Sequence, residues 1–202
     1  LGRLPDLLAL SRQTTPAAPN GADEVADYIC TRVTRVDELL EVVSEDGKTV
    51  GAAPRCRIHG NNDRLHRVVH VLVRDVRNRL LLQKRSMNKS VAAGKWDTSV
   101  GGHVDCGESV ETALYRETAE ELGIRPESVK FAYQYIHTNV HESELVYTYL
   151  CHYEGEIRYN PEEIDAVRFW APDEIEAQMG RQVLSDNFED EFQRYRRWCG
   201  KI

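Results

Sequence analysis

The stretch that most constrains this chain is a helix whose packing stripe changes chemistry halfway along. From Gly102 to Ile124 the sequence reads GHVDCGESVETALYRETAEELGI. Ser109 is a suitable N-cap, Glu111 falls in the first turn, and Gly123 stands where a left-handed stop belongs, so the pattern predicts a helix from Ser109 to Leu122. Val110, Ala113 and Leu114 begin an apolar stripe at i, i+3 and i+4. The same spacing then lands on Glu117, Glu120 and Glu121. A helix built only for packing would keep that stripe apolar. Helix neighbours three and four apart hold their Cβ atoms roughly 5–6 Å from one another, so three carboxylates there repel. Burial beside an apolar stripe raises their pKa values unless cations intervene. Hard divalent ions with oxygen ligands remove the conflict, and Mg²⁺ typically takes carboxylates together with substrate phosphates. Arg116 is spaced to pair with Glu120 one turn on or to reach Glu108 near the helix start. The residues alone therefore point to an acidic metal site on a helix beneath a glycine turn.

The rest of the chain is strand-rich. Two strand-like runs in ELLEVVSEDGKTVGAAPRCRI flank Asp46-Gly47, which predicts an N-terminal β-hairpin. Val68 to Val73 and Leu80 to Gln83 repeat that grammar around a polar turn, and a short strand at 97–101 runs into Gly101-Gly102. Further strands are expected at about 130–137, 145–153 and 165–170. Pro172 opens a helix with Asp173 and Glu174 in its first turn, and an amphipathic helix covers roughly 187–198. Mixed strands with few helices indicate α+β layers rather than a doubly wound array. Residues 1–36 stand apart: 11–24 read as a flexible connector, and the segment is open to capping the sheet, exchanging between subunits in a homodimer, or staying flexible. The main domain is expected over 37–202.

Gly102, Glu108, Arg116, Glu117, Glu120, Glu121, Gly123 and Ile124 fall on the pattern G-x5-E-x7-R-E-U-x-E-E-x-G-U, with U bulky and apolar. The segment 102–124 thus resembles the Nudix box. Its seven fixed identities would match by chance with a probability of roughly 10⁻⁹ to 10⁻⁸ per starting position. One departure is Thr118, where an apolar residue is usual. The resemblance implies a loop-helix-loop on a mixed β-sandwich with flanking helices, and a pyrophosphohydrolase that cleaves a nucleoside diphosphate linked to another group, using Mg²⁺ or Mn²⁺. It makes Glu117, Glu120, Glu121 and the Gly102 carbonyl metal ligands, and Glu108 and Arg116 braces for the helix and its acids. The catalytic base stays open among Glu117 and Glu120 in the box and Glu142 and Glu144 on a remote loop.

Outside the box, LHRVVH, LLLQKRS and GKWDTSVGGHV are similar to the bacterial Nudix subgroup related to isopentenyl diphosphate isomerases, over about Asp37 to Trp170. The isomerases' metal histidines would correspond to His66 and His103, and their E-x-E pair to Glu142 and Glu144. Their cysteine falls on Gly101, which disfavours double-bond isomerisation; the alternatives are an isomerase-like activity or a non-catalytic nucleotide-binding module. Lys84, Arg85, His103 and Glu142 are candidates to hold a small-molecule diphosphate substrate, Arg being suited to bidentate phosphate contacts. His137 and His141 flank the loop before Glu142, while Trp96, Phe169 and Trp170 are expected to pack rather than bind.

Charge narrows the partners. The chain carries 33 acids against 26 Lys and Arg, a net −7, so general nucleic-acid binding is not expected. No run approaches the roughly 18 apolar residues of a membrane span, and LGRLPDLLAL is too short and too interrupted by Pro5 and Asp6 for a signal peptide. Five widely spaced cysteines without a C-x-x-C pair read as reduced thiols, and the expected location is cytoplasmic.

Overall fold

The computed structural model describes residues 38–60 and 62–200; the expectations for residues 1–36 lie outside this range. The chain opens with the anticipated hairpin, β1 (Leu39–Val43) and β2 (Thr49–Pro54), paired antiparallel around Gly47 at φ +78°. A short turn of helix, α1 (Arg55–Ile58), leads into β3 (Leu65–Arg74), β4 (Leu80–Arg85), β5 (Trp96–Asp97) and β6 (Val100–His103). The box helix α2 (Val110–Leu122) comes next, then β7 (Val129–Thr138), β8 (Ser143–His152) and β9 (Ile164–Trp170). Two helices close the described chain, α3 (Pro172–Gln178) and α4 (Asp186–Cys199).

The fold is α+β, and among the described residues nine strands are hydrogen-bonded into one mixed sheet with few helices. Its hub is β3, which pairs in parallel with β8 over ten residues and antiparallel with β6 and β1. A second ladder, β5–β4–β9, joins the first through the contact of Arg74 with Leu80. Alternation along β3 explains the two layers of core, because successive side chains leave opposite faces of a strand. Val69, Val71 and Val73 pack with Ala113, Leu114 and Leu122 of α2. Leu72 looks the other way and packs with Phe188, Phe192 and Tyr195 of α4. Trp170 is buried and meets Trp96 edge-on at 5.2 Å between ring centres, so both tryptophans pack as expected.

The helix signals act as read. Ser109 Oγ accepts the Thr112 amide at 3.0 Å, and Gly123 ends α2 at φ +64° with its amide bonded to the Ala119 carbonyl. Thr118 fits its apolar position because its hydroxyl donates to the Leu114 carbonyl at 2.6 Å and it is fully buried. The cysteines need one correction. Cys106, Cys151 and Cys199 are free thiols, but Cys56 is disulfide-bonded; sequence spacing carries no information on such through-space approach. No helix among the described residues is long and apolar enough to cross a membrane.

Candidate metal centre and active site

Strand β6 lies between two clusters of ionisable side chains. On one face stand the box acids. Glu121 is buried, and Gln83 Nε2 donates to it at 2.9 Å. Burial, then the charges of Glu117 and Glu163, push the Glu121 carboxyl up to about 8, against the pull of Gln83 and Lys89. Glu117 is also raised by burial, while the adjoining Arg116 charge opposes the shift. Its carboxylate occupies the space over Gly102, where a Cβ would overlap it. That is why position 102 has no side chain, and it brings the Gly102 backbone against a metal-capable acid.

Arg116 organises this face. Nε and Nη2 form a two-pronged contact with Glu108 at 2.9 and 2.8 Å, Nη1 donates to Glu117 at 2.7 Å, and Nη2 also donates to the His103 carbonyl at 2.9 Å. Bidentate charge-assisted bonds of this kind fix both partners in angle as well as distance. They also hold Arg116 firmly in its charged form. Glu120 departs from the expected stripe. Its side chain is 60% exposed and reaches Arg116 Nη1 only at 3.4 Å. The buried face of α2 runs through Ala113, Leu114, Thr118, Glu121 and Leu122, leaving Glu120 on the flank. The i+3/i+4 reading made the stripe one residue too wide.

The other face of β6 carries His103, and here the structure assembles a group that sequence reading found only in part. His59, His66, His103 and Glu142 each offer one ligand atom, all within 4.8 Å of one another. His59 Nε2 lies 3.1 Å from both His103 Nε2 and Glu142 Oε2. Four elements deliver them. Fully buried Ile58 of α1 packs against Leu40 and Ala53 and so anchors His59; β3 carries His66 and β6 carries His103. Glu142 sits in the β7–β8 turn, where Asn139 Oδ1 accepts the His141 and Glu142 amides at 2.7 and 3.0 Å. The His141 carbonyl in turn accepts the Gly60 amide at 2.7 Å. His59 was missed because a lone histidine after a helical turn has no local pattern; its spacing to His66 was the available signal.

The electrostatics suit a cation. Burial first, then the neighbouring His103, depress His59 to about 4 and His66 to about 3. Both rings are therefore neutral near pH 7, with lone pairs free. His66 is fully buried, yet neither ring nitrogen has a hydrogen-bond partner, nor does Glu144 Oε2. Buried polar atoms are almost always paired, so these three orphans are what a missing ligand would leave. His103 Nδ1 contacts Glu38 Oε1 at 3.1 Å, which fixes the ring so that Nε2 faces His59. Burial would raise Glu38, but His103 and Arg55 together lower it to about 2. Three imidazoles and a carboxylate fit a divalent transition ion, Zn²⁺ or Mn²⁺, better than Mg²⁺.

Glu144 is buried behind this group. Burial and the charge of Glu142 raise it to about 7, with His70 and His103 pulling it down. Beneath lies a buried triad in which His70 Nδ1 meets Glu191 Oε2 at 2.9 Å and Thr148 Oγ1 donates to Glu191 Oε1 at 2.8 Å. Burial alone would lower His70, yet Glu191, helped by Glu144 and Asp97, lifts it to about 9. Gly101 faces this pair, and a Cβ there would stand 3.3 Å from the His70 ring and from Thr98 Cγ2. The remaining candidates are dispersed. Arg85 bonds the Val91 carbonyl and lies 3.5 Å from Asp97, and the side chain of β4 that touches the box acids is Gln83 rather than Lys84. The cation beside Glu121 is Lys89, which pairs with Glu163 at 2.8 Å. His137 faces Asp190 at 3.7 Å, and His141 contributes its backbone.

Residues 64–197, about two-thirds of the chain, match the NUDIX domain family. The chain belongs to the Nudix family. Among its Nudix relatives, the isopentenyl-diphosphate Delta-isomerase of Streptomyces coelicolor is 30% identical over 85% of this chain and 84% of its own length. DR0079 from Deinococcus radiodurans superposes with a TM-score of 0.69 at 25% identity, covering 78% of this chain and 98% of that one. A MutT NUDIX hydrolase from Burkholderia pseudomallei gives a TM-score of 0.51 at 31% identity, over 63% of this chain and 96% of its own.

Proposed function

We propose that this Nudix protein is a metal-dependent hydrolase of a diphosphate bond in a nucleoside diphosphate derivative or a related organic diphosphate. The observation that carries the reading is the pairing of a complete acidic box with a glycine at position 101. Glu117 and Glu121 are inward-facing carboxylates with raised pKa values, Arg116 holds Glu117 in place, and position 101 carries no side chain. Bound divalent cations would neutralise phosphate oxygens and make water a better nucleophile. Glu117, Glu120 and Glu121, with the Gly102 carbonyl, would hold Mg²⁺ or Mn²⁺, and the histidine group would hold a softer ion. Glu144, at about 7 and so titrating near neutrality, suits a proton acceptor. Lys89, the cation beside Glu121, would meet the departing phosphate by exchanging its partner Glu163.

The histidine–glutamate group, with relatives named as isopentenyl-diphosphate isomerases, favours a second reading: isomerisation of an allylic diphosphate. Position 101 speaks against it, since a glycine there has no side chain to offer the reaction. The two are separated by incubating the protein with nucleoside diphosphates, ADP-ribose and isopentenyl diphosphate, with and without Mg²⁺ or Mn²⁺, and following ³¹P and ¹H spectra. Metal-dependent phosphate release, reduced about 10²- to 10⁴-fold in Glu117→Gln, is expected. A shifted double bond with the diphosphate intact would overturn the hydrolase reading, and binding without turnover of any substrate would leave a nucleotide-binding module.

A further inference from the structure

We infer a second ligand site at the opposite end of the sheet, one that takes a small phosphate-bearing molecule with a planar ring. A cavity of about 790 Å³ opens where β3, β7 and β8 meet the C-terminal end of α4. That volume lies within the range of roughly 300–1,000 Å³ typical of small-molecule sites. It is remote from the metal-capable group. Arg74 and His152 in its wall are register partners, eight residues along from the partners His66 and Glu144. At about 3.3 Å per residue the two ends are about 26 Å apart.

Charge sets the ligand class. The chain has more acids than bases, 33 against 26, yet among the described residues no Asp or Glu lines this cavity, whereas Arg74, Lys130, His152 and Arg196 do. Arg196 is already paired with Glu176. Arg74 is not: its guanidinium contacts His152 Nε2 at 3.0 Å and the Tyr195 hydroxyl at 3.4 Å, neither of them a carboxylate, and its buried Nε has no hydrogen-bond partner. No carboxylate pairs with Arg74 or Lys130 among the described residues. The carbonyl end of α4 supplies only about half a negative charge, too little to balance two cations. Each of the two Nη atoms making those contacts carries a second N–H group, and the planar guanidinium is suited to phosphate oxygens, which makes Arg74 the candidate phosphate ligand.

The ring preference comes from the opposite wall. Trp198 and Tyr195 line the cavity, and Lys130 Nζ lies 5.2 Å from the centre of the Trp198 ring. One molecule that sets a phosphate on Arg74 and Lys130 and a planar ring by Trp198 would use both walls. A nucleoside monophosphate has that form; free phosphate would use the cations alone. The inference is independent of the activity proposed above.

The test uses the full chain in EDTA, so that metal-dependent binding at the box is suppressed. AMP, adenosine and inorganic phosphate are titrated separately and followed by calorimetry and tryptophan fluorescence. AMP should bind saturably and at least tenfold more tightly than either phosphate or adenosine. Lys130→Gln, at an exposed side chain, and Arg74→Gln should each weaken it roughly tenfold or more, with unchanged diphosphate hydrolysis and unchanged circular dichroism. Trp198→Phe should remove the fluorescence change. The inference is overturned if AMP shows no saturable binding at millimolar concentration, or binds no better than phosphate. It is also overturned if Lys130→Gln binds AMP like the parent protein while Glu117→Gln does not.

Discussion

The buried pair of His70 and Glu191 offers the sharpest quantitative test. Glu191 is fully buried on α4, and its two oxygens are taken by His70 and Thr148. Replacing it by Gln keeps the shape and an acceptor for Thr148 but removes the charge that holds His70 protonated. His70 is raised from 6.5 to about 9, which at 1.36 kcal/mol per pKa unit amounts to about 3 kcal/mol. This agrees with the roughly 3–5 kcal/mol lost when one member of a buried ion pair is deleted. The sign follows from proton counting: a histidine whose folded pKa exceeds its unfolded one stabilises the fold fully below 6.5, and that contribution fades as pH rises through about 9. Urea unfolding of the metal-free protein, followed by tryptophan fluorescence, should show Glu191→Gln less stable by about 3 kcal/mol on the acid side of this window. The difference should shrink by that amount as pH rises through about 9. Comparing the two proteins at each pH cancels the other titrating groups. A variant as stable as the parent at low pH, or a deficit that stays constant through the window, would refute the reasoning.

Other perturbations address the two faces of β6. Gly102→Ala puts a methyl into the space of the Glu117 carboxylate; Mn²⁺ affinity and turnover should fall at least about tenfold while thermal unfolding moves little, as expected when a ligand is displaced rather than a core disrupted. Glu38→Gln loosens the hold on His103 Nδ1, and Zn²⁺ or Mn²⁺ affinity measured by competition with a chelating dye should drop about 10- to 100-fold. Because Glu144 at about 7 and Glu121 at about 8 must lose protons to bind a cation, metal affinity should rise with pH through that interval and uptake should release protons, which calorimetry in buffers of different ionisation enthalpy will register. A pH-independent affinity would show that neither carboxylate contacts the ion.

Much of the fold is legible because local chemistry dictates it. Ser109 and Gly123 mark the two ends of α2 through an amide acceptor and a left-handed turn, and Asp46-Gly47 marks the first hairpin. The box acids are legible because they interrupt an apolar stripe. The second cluster is only half legible. His66, His103, Glu142 and Glu144 stand out through likeness to relatives, but His59 depends on Ile58 being buried against β1 and β2, a contact with no trace in the neighbouring sequence. Glu38, Glu191 and Lys89 were hidden for the same reason: each acts on a residue 60 or more positions away. Glu120 shows the converse error, in which a local rule was applied one flank too far.

Gly102 and His103 are consecutive, yet one serves the carboxylate side of the sheet and the other the imidazole side. Since a strand's outward and inward positions swap with every residue, inserting or deleting one amino acid just ahead of Gly101 would turn His103 toward Arg116 and drive a bare backbone into the ring of histidines. Both centres would be lost in the same event. They can drift in composition separately, but not in spacing: the acid face and the imidazole face share a wall one residue thick.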